Sequence, residues 1–276
     1  MIQEVCKNIK FVGCDDPELR LFEGQYVTPE GMCYNSYVIL DDQIAIMDTI
    51  DPRCQEEWAA KLEKALDGRQ PDYLVVHHME PDHAGSIARL LNTYPNVKVV
   101  CSAMAQKMLK QFNEDLDLTD RVQAVKEGDT LSLGHCTLQF IAAPSVHWPE
   151  VMMSYVPEEQ VLFSADGFGK FGVYDAGADD WACEARRYYF NICGKYGVQV
   201  AKALGKVAAL SGVKAICPLH GPVLKDEAMQ EALRLYNIWA HYEVETPGVF
   251  IAYASAHGGT AAAAEKMRDL LLERGC

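Results

Sequence analysis

The sequence lacks several features that would assign it to a special class of protein. No apolar run in it approaches the roughly 18 residues that a membrane-spanning helix needs. The first residues show neither the basic region nor the apolar region of a signal peptide, and internal repeats are absent. We therefore expect a globular protein of the cytoplasm that has no membrane partner.

Basic residues are scarce, with 25 lysines and arginines against 39 aspartates and glutamates and a net charge of −14. Such a chain repels phosphate backbones, which argues against a nucleic-acid partner. None of the ten cysteines belongs to a Cys-x-x-Cys pair, so the usual spacing of an iron–sulfur cluster, a structural zinc site or a redox dithiol is missing. Without an export signal, we expect the cysteines to stay reduced.

Short apolar segments rich in β-branched residues alternate with helical patterns over most of the chain, which predicts an α/β fold. Near residues 37–48 and 137–163, strand patterns follow one another without a helix between them. This favours two mixed sheets flanked by helices over a doubly wound parallel sheet. A break at Pro247-Gly248 divides the chain into residues 1–246 and residues 247–276, where a strand at 249–253 and one helix are expected.

The strongest chemical signal comes directly after an apolar strand. Four side chains that can bind metals, His78, Glu80, Asp82 and His83, stand within six residues. A loop that leaves a strand can direct alternate side chains into one cavity, so this spacing suits two neighbouring metal ions. The alternative is a polar loop in which Asp82 caps a helix that begins near Ala84.

Three later residues support the metal hypothesis. His147, Asp166 and His220 each follow an apolar strand, beside glycine or proline. Any one of them alone would be more typical of a turn. Together with the first motif they provide four histidines and three carboxylates, enough to hold two metals with positions open for a substrate.

Glu80 bears on which metal the site prefers. A hydrolytic dizinc site of this layout would be expected to have histidine there. A carboxylate is a harder ligand and favours iron or manganese and redox chemistry. Two alternatives stay open: a dinuclear zinc hydrolase on the same fold, and a non-catalytic binder whose metals only brace the scaffold.

The motif His78-x-Glu80-x-Asp82-His83, followed by His147, Asp166 and His220, resembles the flavodiiron proteins over the whole chain. The resemblance implies a metallo-β-lactamase-like αββα sandwich with a non-haem diiron centre. This centre would reduce dioxygen to water, nitric oxide to nitrous oxide, or both. One iron would take His78, Glu80 and His147, the other Asp82, His83 and His220, with Asp166 as the bridge.

The resemblance also implies a tyrosine near the open face of the metal centre. Tyr196 is the best match, with Tyr188 and Tyr189 as rivals. Some members of the family have a histidine that faces the substrate where this chain has Glu23, so the preference between the two gases stays open. Trp148, next to His147, could form a wall of the site.

Residues 247–276 resemble the start of a flavodoxin-like domain that binds FMN. Its phosphate loop would consist of Ser255, Ala256, His257, Gly258, Gly259 and Thr260. Because such a domain needs several more strand–helix units, we expect a fragment that does not retain FMN. For the full-length protein, the resemblance implies a rubredoxin-like or flavin reductase electron donor and a head-to-tail homodimer or a dimer of dimers.

Overall fold

The structure is a computed structural model that describes residues 2–175 and 180–276. It divides into two compact units, one that ends at His241 and one that comprises Tyr242–Cys276. None of the helices in the described residues combines the length and the apolar character needed to cross a membrane. The domain division expected after residue 246 lies a few residues beyond this boundary and stays a prediction.

The strands of the first unit are short. In chain order they are β1 (Gln3–Cys6), β2 (Ile9–Phe11), β3 (Cys14–Asp16), β4 (Leu21–Phe22), β5 (Tyr26–Val27), β6 (Met32–Tyr34), β7 (Tyr37–Leu40), β8 (Ile44–Met47), β9 (Tyr73–Val76), β10 (Lys98–Ser102), β11 (Val122–Val125), β12 (Thr130–Ser132), β13 (Thr137–Ala142), β14 (Met152–Val156), β15 (Val161–Phe163), β16 (Ala215–Cys217) and β17 (Leu224–Lys225).

Within the described residues these strands form two mixed sheets and two small ribbons. The first sheet has the order β1-β2-β7-β8-β9-β10-β11 and the second the order β12-β13-β14-β15-β16-β17, while β3 pairs with β6 and β4 with β5. Strands β8 to β11 run parallel, as do β15 and β16. The other pairs are antiparallel, so the predicted mixed sheets are confirmed.

The α-helices are α1 (Gln55–Leu66), α2 (Pro81–Ala84), α3 (Ile87–Thr93), α4 (Ala103–Phe112), α5 (Trp181–Ile192), α6 (Gly197–Ala208), α7 (Asp226–Ala240) and α8 (Gly259–Glu273). Two short 3-10 helices, Pro52–Cys54 and Gly194–Tyr196, precede α1 and α6. Helix α1 shows why these segments are amphipathic. Its buried residues Trp58, Leu62, Ala65 and Leu66 recur at helical spacing, so one face is apolar.

The two sheets pack face to face with helices outside them. Helices α1 and α4 contact the first sheet, and α7 contacts the second and is itself contacted by α5 and α6. Between the sheets lies a core to which both contribute, for example Val75 of β9 and Phe163 of β15. The neighbours Leu74 and Val76 belong to the outer core that includes the helices, because successive strand residues face opposite sides. The αββα sandwich is confirmed.

The second unit differs from the sequence prediction in one respect. Residues 249–253, predicted to form a strand, have no regular secondary structure, and α8 is the only helix or strand described in Tyr242–Cys276. The strand prediction was therefore wrong for this chain. The physical reason is that a strand needs a neighbour to satisfy its backbone hydrogen bonds, and the described part of this unit contains none.

Candidate metal centre

The first metal motif lies where β9 meets α2. His78 follows the strand, and Glu80 is the last residue before the helix, which begins at Pro81. Proline is well suited to the first helical position because its missing N–H would have had no partner there. The helical turn then carries Asp82 and His83. Asp82 therefore lies inside α2 and does not cap a helix, which rules out the alternative based on capping.

The other three residues come from the ends of different strands. His147 lies in the loop after β13, Asp166 follows β15, and His220 follows β16. Since β15 and β16 are parallel, their carboxyl ends meet at the same edge of the second sheet. This edge lies against the end of β9, so that His83 Nε2 is 3.1 Å from His220 Nε2 although 137 positions separate the two residues.

These seven side chains form two adjacent donor groups. The first donor group contains His78, Glu80, His147 and Asp166, and the second contains Asp82, His83 and His220. In the first, Glu80 Oε2 lies 3.1 Å from His147 Nε2 and 3.2 Å from His78 Nε2. In the second, Asp82 Oδ2 lies 3.3 Å from the Nε2 atoms of both histidines.

Asp166 lies between the two donor groups. Its Oδ2 atom is 2.9 Å from His147 Nε2 in the first group. Its Oδ1 atom is 3.3 Å from His83 Nε2 and 3.8 Å from His220 Nε2 in the second. Each carboxylate oxygen therefore faces a different group, which is the arrangement expected of a ligand that bridges two metals.

Several donor atoms of the centre lack hydrogen-bond partners among the described residues, and metal ions could take that place. All four carboxylate oxygens of Asp82 and Asp166 are buried, and none accepts a hydrogen bond from residues 2–175 or 180–276. Buried charged oxygens without partners are costly and rare. Imidazole nitrogens and carboxylate oxygens, without sulfur, suit iron, manganese or zinc. A pair of such ions would satisfy these atoms.

Two of the histidines are oriented by hydrogen bonds on the ring nitrogen that faces away from the centre. His78 Nδ1 donates to Glu150 Oε1 at 2.8 Å, and His220 Nδ1 donates to the carbonyl oxygen of Cys33 at 2.7 Å. Each bond leaves Nε2 as the nitrogen with a free lone pair directed inward. Glu150 could not be predicted from the sequence, because a single glutamate before a strand belongs to no recognisable pattern.

The pKa values of the histidines indicate that positive charge is favoured in the centre. Burial lowers the pKa of His147, but the adjacent carboxylates of Asp166 and Glu80 outweigh it and raise the pKa to about 9. For His78, burial is likewise outweighed by the charge of Asp166 and the bond to Glu150, so its pKa lies well above the usual value.

The pKa values of the carboxylates point the same way. Burial raises the pKa of Asp166, but the imidazoles of His78, His147 and His83 hold it well below its usual range. Burial also raises the pKa of Glu80, but the bonds with His147 and His78 lower it overall. A cation of charge +2 at each donor group would supply the positive charge that these carboxylates favour.

Aromatic side chains surround the donor groups. Trp148 packs edge-on against His78, with ring centroids 5.2 Å apart, as expected of a wall of the site. Phe22 of β4 packs in the same way against His220 at 5.4 Å. Glu23, the next residue, lies near Glu80, and burial together with the charge of Glu80 raises the pKa of Glu23 to about 7.

The structure distinguishes between the candidate tyrosines. Tyr188 of α5 is buried, and its ring lies 5.6 Å from that of His220. Tyr189 packs against Trp239 of α7. Tyr196 is half-buried under Lys195 and, within the described part of the chain, has no hydrogen bond or ring contact with the seven side chains. The geometry therefore favours Tyr188 over Tyr196 as the tyrosine at the centre.

The predicted phosphate loop lies at the start of α8. Gly258 is the residue before the helix and has φ +84°, a left-handed conformation that favours glycine. Gly259 and Thr260 begin the helix, so their backbone N–H groups are among those without intrahelical partners. The whole segment, residues 255–260, is exposed.

The fold and the two donor groups are those of a metallo-β-lactamase-like domain, and comparison with known proteins agrees. The family described as "ODP family beta lactamase" matches residues 32–221, more than half of the chain. The nitric oxide reductase of Moorella thermoacetica is 34% identical over 280 residues, which cover 99% of this chain and 69% of that protein. The rubredoxin-oxygen oxidoreductase of Megalodesulfovibrio gigas is 30% identical, with coverage of 99% and 69%.

Solved structures give the same result. The flavodiiron protein from Giardia intestinalis has a TM-score of 0.80 and 31% identity, and covers 87% of this chain and 59% of that one. A variant of the flavo di-iron protein from Thermotoga maritima has a TM-score of 0.90 and 25% identity, with coverage of 100% and 70%. The chain belongs to the flavodiiron protein family. It spans between 59% and 70% of the length of these relatives.

Proposed function

We propose that this chain is the diiron part of a reductase that converts dioxygen to water, nitric oxide to nitrous oxide, or both. The observation that carries the proposal is the position of Asp166 between two groups of histidine and carboxylate ligands, with one oxygen toward each. The names of the relatives, a nitric oxide reductase and a rubredoxin-oxygen oxidoreductase, support the same chemistry.

The seven side chains would hold the two irons as the resemblance implies. His78, Glu80 and His147 would bind one, Asp82, His83 and His220 the other, with Asp166 shared. When bound, a pair of irons supplies one-electron redox steps and open coordination positions for a small gas molecule.

The residues around the metal ligands would exclude water and supply a hydrogen-bond donor. The rings of Trp148 and Phe22 limit the access of water to the buried histidines they contact. Burial and the charge of Asp166 raise the pKa of Tyr188 well above its usual value, so its hydroxyl stays protonated and can donate a hydrogen bond. We assign to Tyr188 the role that the resemblance suggested for Tyr196.

The zinc hydrolase is less well supported. Glu80 stands where a hydrolytic dizinc site would be expected to have histidine, and its carboxylate lies within 3.2 Å of both histidines of its group. The relatives named above are reductases, and no hydrolase is among them.

Electron supply is the second part of the proposal. In the full-length protein, FMN bound at residues 255–260 would deliver electrons to the irons, with a rubredoxin-like or flavin reductase as the donor. The rubredoxin-oxygen oxidoreductase among the relatives supports this kind of donor. We also propose that the full-length protein forms a head-to-tail homodimer or a dimer of dimers and is located in the cytoplasm.

Two measurements on the 276-residue chain test the proposal. The first is the metal content per chain after anaerobic purification from iron-supplemented cells, for which we expect two irons; two zincs would favour the hydrolase instead. The second is a single turnover: the iron-loaded chain is reduced chemically, freed of reductant and mixed with nitric oxide or dioxygen. Formation of nitrous oxide, or consumption of oxygen, in proportion to bound iron is expected, and neither step needs FMN.

A further inference from the structure

Glu150 lies directly behind one of the candidate metal ligands. It is 2% exposed, and its Oε1 atom accepts hydrogen bonds from His78 Nδ1 at 2.8 Å and from the backbone N–H of Met79 at 2.9 Å. Its Oε2 atom is buried and accepts no hydrogen bond from the part of the chain that the structure describes. A buried carboxylate with one unsatisfied oxygen is costly, so its position calls for a reason beyond bracing a loop.

The position of Glu150 is itself fixed. Ser102 Oγ donates to the carbonyl oxygen of Glu150 at 2.8 Å and also accepts from the backbone N–H of Ala105 at the start of α4. The loop between β13 and β14 thus carries both His147, which faces the first donor group, and Glu150, which lies behind His78 of the same group.

The candidate ligand histidines differ in the hydrogen-bond partner of the Nδ1 atom. In the described residues, His78 is the one with a carboxylate on its Nδ1 atom; His220 has a neutral carbonyl oxygen there, and Nδ1 of His83 has no partner. A carboxylate on the far nitrogen of an imidazole fixes its tautomer and makes Nε2 a stronger electron donor than a carbonyl oxygen does.

We propose that Glu150 is a positioning residue that makes the two metal sites unequal. It holds His78 with Nε2 toward the first donor group and strengthens that nitrogen as a ligand. The ion held by His78, Glu80 and His147 is therefore bound more tightly than its neighbour. As iron, it is also harder to reduce, because the added negative charge stabilises the ferric form. This inference rests on the proposal that the chain binds two irons.

Two substitutions separate the charge of Glu150 from its hydrogen bonds. Glu150→Gln keeps the size of the side chain and an oxygen that can accept both bonds, but removes the charge. Glu150→Ala removes both. Glu127→Gln is the matched control, because Glu127 also accepts a backbone N–H, that of Ala142, and its other hydrogen bond given by the structure is to Lys206 and not to a metal ligand.

The experiment is an anaerobic titration of the chain, stripped of metal, with ferrous ion, followed by a redox titration of the loaded protein monitored by electron paramagnetic resonance. We expect Glu150→Ala to weaken one of two sites by about 10- to 100-fold and to leave the other unchanged. Glu150→Gln is expected to weaken the same site less and to raise the midpoint potential of one iron. Glu127→Gln should match the wild type.

If Glu150 only braced the loop, Glu150→Gln would keep both iron affinities and both midpoint potentials of the wild type. That result would overturn the inference while two bound irons in the wild type leave the proposed function intact. Equal weakening of both sites in folded Glu150→Gln would overturn it as well. If the wild type binds fewer than two ions, the proposed function fails and the inference fails with it. Should Glu150→Ala not fold, Glu150→Gln alone decides.

Discussion

Asp82 Oδ2 lies 3.3 Å from His220 Nε2, and neither oxygen of Asp82 accepts a hydrogen bond from any described residue. The two residues are far apart in the sequence and meet because α2 and the loop after β16 converge at one edge of the sandwich. Such an unsatisfied carboxylate beside an imidazole is expected where a metal ion binds.

Replacing Asp82 by asparagine should therefore reduce the amount by which bound iron stabilises the folded chain. Bound iron stabilises the folded chain by an amount that grows with the logarithm of its affinity, so each hundredfold loss of affinity lowers the gain in the free energy of unfolding by about 2.7 kcal/mol. We expect the gain on adding iron, measured by urea unfolding, to fall by at least that amount in Asp82→Asn. Asp115→Asn, a change at an exposed residue, should behave as the wild type. An unchanged gain in Asp82→Asn would show that Asp82 is not a ligand.

Glu80 should determine which metal the first donor group prefers. Replacing it by histidine exchanges a hard oxygen donor for a softer nitrogen, which favours zinc over iron. We expect the ratio of iron to zinc, measured by mass spectrometry after expression with both metals, to fall in Glu80→His. Glu80→Asp retains a carboxylate and should hold the ratio closer to that of the wild type. A ratio unaffected by the histidine would mean that the carboxylate does not select the metal.

Replacing Tyr188 by phenylalanine should affect turnover, whereas the same change at Tyr196 should not. If the hydroxyl of Tyr188 donates a hydrogen bond or proton during reduction, its loss in Tyr188→Phe should slow single-turnover nitrous oxide formation by about 100-fold. Iron content should not change, because the tyrosine is not a ligand. Tyr196→Phe, the matched change at the half-buried residue, should leave the rate almost unaltered. The reverse pattern would restore Tyr196 as the functional tyrosine.

The different orientations of His77 and His78 were predictable because they depend on local pattern. His78 and His77 are neighbours at the end of β9, and alternation along a strand predicts that they face opposite sides. The structure confirms this: His77 bonds to Asp48 and Ser154, while His78 belongs to the first donor group.

What the sequence could not predict depends on contacts between distant segments. Glu150 acts on His78 across 72 positions, and no spacing rule links the two. The choice of Tyr188 over Tyr196 follows from how α5 packs against the loop after β16. The predicted strand at 249–253 failed for a related reason, since strand propensity is local but pairing needs a second strand.

The exposed loop before α8 leads to a prediction about flavin. FMN binding by a flavodoxin-like sheet involves several strand–helix units, whereas α8 is the only regular element described in Tyr242–Cys276. We therefore expect the chain, purified with added FMN and then dialysed, to show no stoichiometric flavin absorbance. One flavin per chain would mean that residues 255–260 bind FMN without the rest of such a domain.

The hydrogen bonds of the buried His77 should stabilise the fold without contributing to metal binding. Its Nδ1 atom lies 2.5 Å from Asp48 Oδ2, and its Nε2 atom accepts from Ser154 Oγ at 2.8 Å. All three residues are at most 1% exposed, so Ser154→Ala leaves a buried nitrogen without a partner. This should cost about 1–3 kcal/mol in the free energy of unfolding.

Ser211→Ala is the matched control for Ser154→Ala, since Ser211 is exposed and its backbone carbonyl, which the substitution keeps, accepts from the hydroxyl of Tyr155. Iron content should equal that of the wild type in both variants, because the ring of His77 faces the core between the sheets, where it stacks on Phe163. Loss of iron in Ser154→Ala would mean that this buried network reaches the metal centre through the backbone, where Asp48 Oδ1 accepts from the N–H of His77 at 2.7 Å. Equal stability of the two variants would mean that His77 finds another partner when Ser154 is removed.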